Sequence, residues 1–425
     1  MPRWHGGCWP RCWDERAGPL PSANPGARSA QGCPVTATRW LALALWLAAL
    51  GGCSSLPLWM VAQGQSQITD YRHFDNAPLA RAAQPQPWPA APAALRWPGG
   101  LDRAAAEADL AAHGTVALLV LRRGELVSEN YFNAYAADSI ATSFSMAKSV
   151  VSLLLGIAID EGRIASVDEP VTRYLPELLA NDPRFGRITL RHLLMMRSGI
   201  QFDEGYRSPF TEAARFYVAP DLRREVARLR IEGDPDQAYA YKSGDTQLLG
   251  MVVERAVGQS LARYAEQRLW QPLGAQHDVS WSLDSAASGV ARAFCCLNAR
   301  AVDFLRLGQL LLNDGLWRGQ RIVSAQWLRD SSAAQVGRPG RSDADQRNIE
   351  RPGAPQAAFY AWQWRRRPLP GQPPLQPGPL VYAHGLYGQV LMVDPASQTV
   401  VLRLGQRTGQ RHWPGWMEEL LRLNP

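Results

Sequence analysis

The chain has 425 residues, 46% of them hydrophobic, which is enough to bury a full core. Its formal net charge of +7 is spread through mixed-sign sequence, so no basic run argues for a nucleic-acid partner. Six cysteines without a CxxC, and no HExxH, give neither a disulfide framework nor a metal-ligand pattern; no metal and no cofactor are expected.

Residues 1–38 are rich in Trp, Pro, Gly, Cys and Arg without usable periodicity. They are expected to be unstructured, or to precede a true translation start nearer Val35. From Trp40 to Gly52 an apolar run follows Arg39 and ends in Leu50-Gly51-Gly52-Cys53. A basic residue, a short apolar stretch and small residues before a cysteine form a lipoprotein signal, with Cys53 as the lipidated residue. The uncharged stretch runs on to Ala62, which leaves a single uncleaved anchor as the alternative for residues 39–62. Either reading attaches the protein to a membrane, on the periplasmic side of a bacterial cell envelope. Residues 63–110, with their Ala/Pro-rich stretch, read as a semi-rigid lead to a body spanning 111–425.

Within the body, Val116–Leu121 and Leu126–Tyr131 are β-type runs joined by Arg122-Arg123-Gly124-Glu125, a hairpin signature. Ser145 opens an apolar, helix-periodic stretch that runs to Ile159 and stops at Gly162. Helical and loop sequence follows at Val171–Leu178 and Ile188–Leu194, with further helices predicted at Ala213–Phe216, Gln247–Gly258, Leu261–Leu269 and Ala301–Asn313. Tyr360–Trp364 reads as a strand whose aromatics pack a cleft wall, and Arg365-Arg366-Arg367 as a solvated rim beside it. Gly388–Val393 and Thr399–Leu404 are strands turning at Asp394–Ser397, and Trp416–Leu423 closes the chain as a helix. Strands at both ends with a helical middle predict one sheet assembled from the two termini, plus a helical subdomain at roughly 165–290. His192, Cys295 and Cys296 read as packing positions, and no bridge is expected between the two adjacent cysteines.

Of the 45 basic residues only two are lysines, Lys148 and Lys242. Arginine keeps its proton at any useful pH, whereas a desolvated lysine beside a hydroxyl can act as a base. In Ser145-Met146-Ala147-Lys148 the serine and lysine lie one helical turn apart on the same face, as activation of a nucleophile requires. Lys242 lies inside Tyr241-Lys242-Ser243 and is expected to point away from any site that Tyr241 and Ser243 face.

Ser145-x-x-Lys148, Tyr241-x-Ser243 and His384-Gly385-Leu386-Tyr387-Gly388-Gln389 follow one another in an order that resembles the serine β-lactamase and penicillin-binding-protein superfamily. The closer likeness is to its branch of class C β-lactamases, esterases and 6-aminohexanoate-dimer hydrolases, over about Gly114 to Leu423. The resemblance implies a mixed α/β, β-lactamase/transpeptidase-like fold: a central antiparallel sheet from both chain ends, flanked by helices, with a helical subdomain. It also implies catalytic roles for Ser145 as the acylated nucleophile, Lys148 as its activator and Tyr241 as the proton shuttle, Tyr239 being the alternative phenol. The oxyanion hole would be the backbone N–H groups of Ser145 and Leu386, and Ser243, His384, Gly385 and Tyr387 would contact substrate.

Two departures matter. No lysine follows Lys242, although the third motif of penicillin-binding enzymes usually carries one, and Ser243 stands where β-lactamases often have asparagine. Both point from β-lactam hydrolysis toward a serine hydrolase that cleaves small esters or linear amides. A D,D-peptidase or β-lactamase of the cell envelope and a non-catalytic penicillin-binding-like sensor module are the alternatives. The expected partners are a small-molecule ester or amide and the membrane, with no nucleic acid and no metal.

Overall fold

The computed structural model of the chain describes residues 60, 63–206, 208, 210–333, 349–350, 358–368, 377–407, 409 and 411–425. The expectations for residues 1–38, for the apolar run from Trp40 and for Cys53 fall outside the described residues. In chain order the elements used below are β1 (Asn76–Leu79), α1 (Arg103–Ala112), β2 (Thr115–Arg122), β3 (Glu125–Tyr131), β4 (Ile140–Thr142) and α2 (Met146–Asp160). After several short helices come α3 (Ser243–Val257), β5 (Val279–Ser282), β6 (Leu297–Arg300) and α4 (Ala301–Leu312). The last part holds β7 (Ile349–Glu350), β8 (Ala358–Tyr360), β9 (Arg365–Pro368), β10 (Pro377–Gly385), β11 (Gln389–Asp394), β12 (Thr399–Gly405) and α5 (Trp413–Leu423).

The two ends of the sequence meet in one antiparallel sheet of eight strands, ordered β7-β8-β9-β10-β11-β12-β2-β3. The join is β12 on β2, with Leu402 opposite Leu119 and Val400 opposite Leu121. The side-chain period of two sorts β2 between two cores. Ala117, Leu119 and Leu121 face the core shared with α2 and α4, whereas Leu118 and Val120 face α1 and α5. A strand covered on both faces needs a continuous apolar run rather than an alternating one, and Val116–Leu121 supplies it.

The helix predicted from Ser145 is α2, with Ser145 as its N-cap residue. Every residue from Met146 to Ala158 is buried, because α2 lies between the sheet and α3 rather than on the surface. Full burial of leucines such as Leu153, Leu154 and Leu155 contributes roughly 1.5–3 kcal/mol each. α3 crosses α2 and ends at Gly258 in the left-handed conformation (φ 70°), where a glycine cap is preferred.

Two expectations need correction. The stretch from residue 63 is not a spacer: Ile68, Leu79, Ala82 and Trp97 are buried, and β1 pairs with β5 in a four-stranded sheet ordered β1-β5-β6-β4. Proline richness limits helix but does not prevent an extended segment from packing its few large apolar residues. The arginine triplet is not a solvated rim either. Arg365 and Arg367 are buried on β9; Arg367 pairs with Glu418 of α5, and Arg365 lies against aromatic rings. Among the described residues no helix is long and apolar enough to cross a membrane.

Candidate active site

Three elements converge at the start of α2. The chain enters that helix through Phe144, a buried bulky residue held at φ 42°, and turns sharply into Ser145. Such a backbone is costly for a side chain of this size and is retained where the surroundings over-determine it. Here the Phe144 ring packs edge-on against Tyr387, itself at φ 61°, so two left-handed residues brace the turn into Ser145 against the end of β10.

Lys148 is only 1% exposed, and its ammonium is surrounded by three acceptors. Nζ donates to Ser145 Oγ at 3.0 Å, to Ser243 Oγ at 3.1 Å and to the Phe294 carbonyl at 2.8 Å. Nothing about this amine resembles a surface lysine. Ser243 is the first residue of α3, which places the first and second motifs in direct contact. The Phe294 carbonyl had no signature in the sequence, since a backbone oxygen carries no side-chain identity.

Tyr241 meets this group through its ring: Lys148 Nζ and the Arg365 guanidinium carbon each lie 5.1 Å from the ring centroid. Its hydroxyl makes no hydrogen bond to Lys148. Tyr239 stacks on Tyr360, on whose ring the Arg365 guanidinium also rests, at 5.1 Å. Lys242 turns away, donating from Nζ to the Ile200 carbonyl at 2.7 Å. The third motif divides. Gly385 packs directly on the Ser143–Ser145 backbone, and Leu386 lines the same cavity as Ser145. Tyr387 instead gives its hydroxyl to the Ser66 carbonyl at 2.5 Å, and half-buried His384 sits beside Tyr382 on β10, opposite Val390 of β11. Arg403, fully buried, donates to the Tyr387 and Gly388 carbonyls, both at 2.7 Å, and so fixes the turn that follows Leu386.

The cavity in front of Ser145 has a volume of about 270 Å³. Phe144, Phe294, Tyr217, Val218 and Leu386 make its walls apolar, and among the described residues no charged side chain lines it. Cys295 forms part of the wall and is bonded to Cys296 in a disulfide between adjacent residues, which corrects the expectation that these two would not bridge. Cys296 takes φ 73°, and the Cys295 carbonyl accepts from the Trp281 indole N–H. Among the described residues no cluster of three or more His, Cys, Asp or Glu side chains could hold a metal ion.

Asp245, in the first turn of α3, is fully buried. One carboxylate oxygen accepts from the Ser198 hydroxyl at 2.7 Å, and the other has no partner. Burial pushes this carboxyl up to about 7, with nearby Glu204 acting in the same direction and Lys242 and Ser198 opposing it. A pKa raised on folding means that the native state holds the proton more tightly than the unfolded chain. The associated stability is full below the ordinary value of 3.8 and is lost as pH rises through about 7. Asp245→Asn removes this titration. Its stability relative to wild type should therefore increase between pH 5 and pH 8, by at most about 1.4 kcal/mol per pH unit. Urea melts of both proteins at the two pH values check this, and a gap that stays constant would contradict it.

The β-lactamase family profile matches residues 103–418. The 6-aminohexanoate-dimer hydrolase of Paenarthrobacter ureafaciens is 28% identical over 324 residues, covering 72% of this chain and 77% of that one. Esterase EstB of Burkholderia gladioli is 31% identical over 181 residues, 40% of this chain and 45% of that one. Among solved structures, a Bacillus anthracis protein provisionally assigned as a 6-aminohexanoate-dimer hydrolase superposes with a TM-score of 0.68 at 22% identity, covering 83% of this chain and 92% of its own. A class C β-lactamase superposes at 0.54, with 14% identity over 73% and 91% of the two chains.

Proposed function

Because the chain belongs to the β-lactamase family, we propose that it is a serine hydrolase that cleaves small esters or linear amides through an acyl-enzyme on Ser145. The observation that carries this reading is the three-way anchoring of Lys148 Nζ beside Ser145 Oγ. The Phe294 carbonyl can only accept, so it always claims one N–H, and the Ser145 hydroxyl is left in reach of the amine. In acylation, Ser145 Oγ bonds to the substrate carbonyl carbon while its proton passes to Lys148. The oxygen that becomes negative is received by the Ser145 N–H and the backbone at Leu386. Collapse of this intermediate breaks the bond to the alkoxide or amine, which takes a proton through Tyr241, and water then reverses the sequence to release the acid. Lys148 Nζ and the Arg365 guanidinium both lie against the Tyr241 ring, which keeps the phenol next to the amine whose proton it passes on.

The apolar, uncharged cavity favours a neutral acyl group over a substrate carrying a carboxylate. The relative named as an esterase agrees in direction with that preference; the one named for aminohexanoate dimer, itself a zwitterion, agrees only with cleavage of a linear amide. The test is fluorophosphonate labelling combined with turnover of nitrophenyl butyrate, aminohexanoate dimer, nitrocefin and a D-Ala-D-Ala peptide. Label should map to Ser145, and ester or dimer turnover should exceed that of nitrocefin. An unlabelled wild-type protein, or a nitrocefin specificity constant equal to that of the ester, would remove the proposal.

A further inference from the structure

Ser243 is the ambiguous member of the group around Lys148. A hydroxyl can donate as well as accept, and the two senses have opposite consequences. If Ser243 accepts from Lys148, a neutral amine places its two N–H bonds on Ser243 and Phe294, and its lone pair faces Ser145. If Ser243 instead donates to Lys148, that lone pair is occupied and cannot take the Ser145 proton.

Glu204 decides between the two. Its Oε1 lies 2.6 Å from Ser243 Oγ and its Oε2 2.6 Å from the Ser243 backbone nitrogen. Tyr206 also gives its hydroxyl to Oε1. A carboxylate only accepts, and the Tyr206 hydroxyl that also neighbours Ser243 gives its own proton to the same Glu204 oxygen, so the Ser243 hydroxyl proton is aimed at Glu204 and the serine's lone pairs turn to Lys148 Nζ, 3.1 Å away. The second oxygen takes the Ser243 N–H, one of the unsatisfied amides of the first turn of α3, where the helix dipole favours an anion. A carboxylate held at two points cannot rotate to release the hydroxyl.

Resting on the serine-hydrolase reading above, we propose that Glu204 is a positioning residue for nucleophile activation. By fixing the direction of the Ser243 hydroxyl, it aims the Lys148 lone pair at Ser145. A plain helix cap would make the same contact with the backbone amide but would have no effect transmitted through the Ser243 hydroxyl.

The test measures fluorophosphonate labelling rates and nitrophenyl ester kinetics in wild type, Glu204→Gln, Glu204→Asp, Ser243→Ala and the Glu204→Gln/Ser243→Ala pair. The amide of Glu204→Gln can donate to Ser243 Oγ and free its proton, so labelling rate and kcat should fall about tenfold to a hundredfold with little change in KM. Glu204→Asp, which keeps the carboxylate, should lose less. In the Ser243→Ala background there is no hydroxyl to orient, so Glu204→Gln should cost less than about threefold, in line with coupled sites. Wild-type labelling with equal Glu204→Gln losses in both backgrounds would overturn the positioning role and leave the hydrolase reading standing. Absence of wild-type labelling would overturn both. If Glu204→Gln fails to fold, the Glu204→Asp rate decides, with a loss as large as that of Ser243→Ala counting against the proposal.

Discussion

Lys148→Arg should lower the specificity constant for a nitrophenyl ester by about a thousandfold or more, the scale for losing one member of a coupled catalytic group. The substitution keeps the positive charge, so a merely electrostatic role would survive it. A role in proton transfer would not, because guanidinium does not release its proton in this pH range. Geometry adds to the loss. The three acceptors at 2.8, 3.0 and 3.1 Å surround a single nitrogen in a site with almost no solvent exposure, and a planar fork on a longer stem cannot replace it. Adding Tyr241→Phe should then cost little more, since members acting as one unit fail together. Steady-state kinetics of the two single variants and the double variant check this. Near-wild-type turnover of Lys148→Arg, or fully additive losses, would remove the proton-transfer mechanism.

The parts of this site legible in the sequence were those carried by side-chain identity at fixed local spacing. Ser145 and Lys148 are one turn apart on a helix, and Tyr241-x-Ser243 is a fixed local spacing, so both could be singled out before any tertiary contact was known; that Ser243 opens α3 was not legible, since the helical pattern shows only from Gln247. The sheet formed from the two ends was legible for the same reason, because its central strands are unbroken apolar runs bounded by turn residues. What was not legible depends on tertiary contact. The Phe294 carbonyl that holds Lys148 has no sequence signature, and Glu204 lies in irregular sequence between Gly199 and Thr211 where no periodicity marks it. The burial of Arg365 went against a sound generalisation, since arginine triplets are usually solvated; two tyrosine rings supply the surface that makes the exception. The disulfide between Cys295 and Cys296 goes against the awkwardness of bridging neighbours, and the turn that carries it is held by contacts to Trp281 and Ser282 of the preceding strand β5, which no local pattern at the cysteines reveals.

Gly385→Ala should lower kcat about a hundredfold through the backbone alone. Gly385 has φ −126°, a conformation open to any residue, so the glycine is required by space rather than by torsion. A methyl group there would lie 2.5 Å from the Ser143 carbonyl oxygen and 3.1 Å from the Ser145 nitrogen. Neither can yield cheaply: Ser143 O accepts the Met146 N–H at the head of α2, and Ser145 is held by that same turn. The end of β10 must therefore move away, and with it the Leu386 backbone that would face the oxyanion. Loss of one oxyanion donor typically costs about a hundredfold to a thousandfold, and overpacking destabilises by roughly 1–3 kcal/mol. Gly308→Ala provides the control. Its methyl would meet Val400 at 2.4 Å, in the core between α4 and the sheet, so it should show a comparable fall in thermal stability with kcat retained below the melting transition. If Gly385→Ala keeps wild-type kcat while Gly308→Ala is destabilised as expected, the strand end is not part of the oxyanion site and the assignment of Leu386 to it fails.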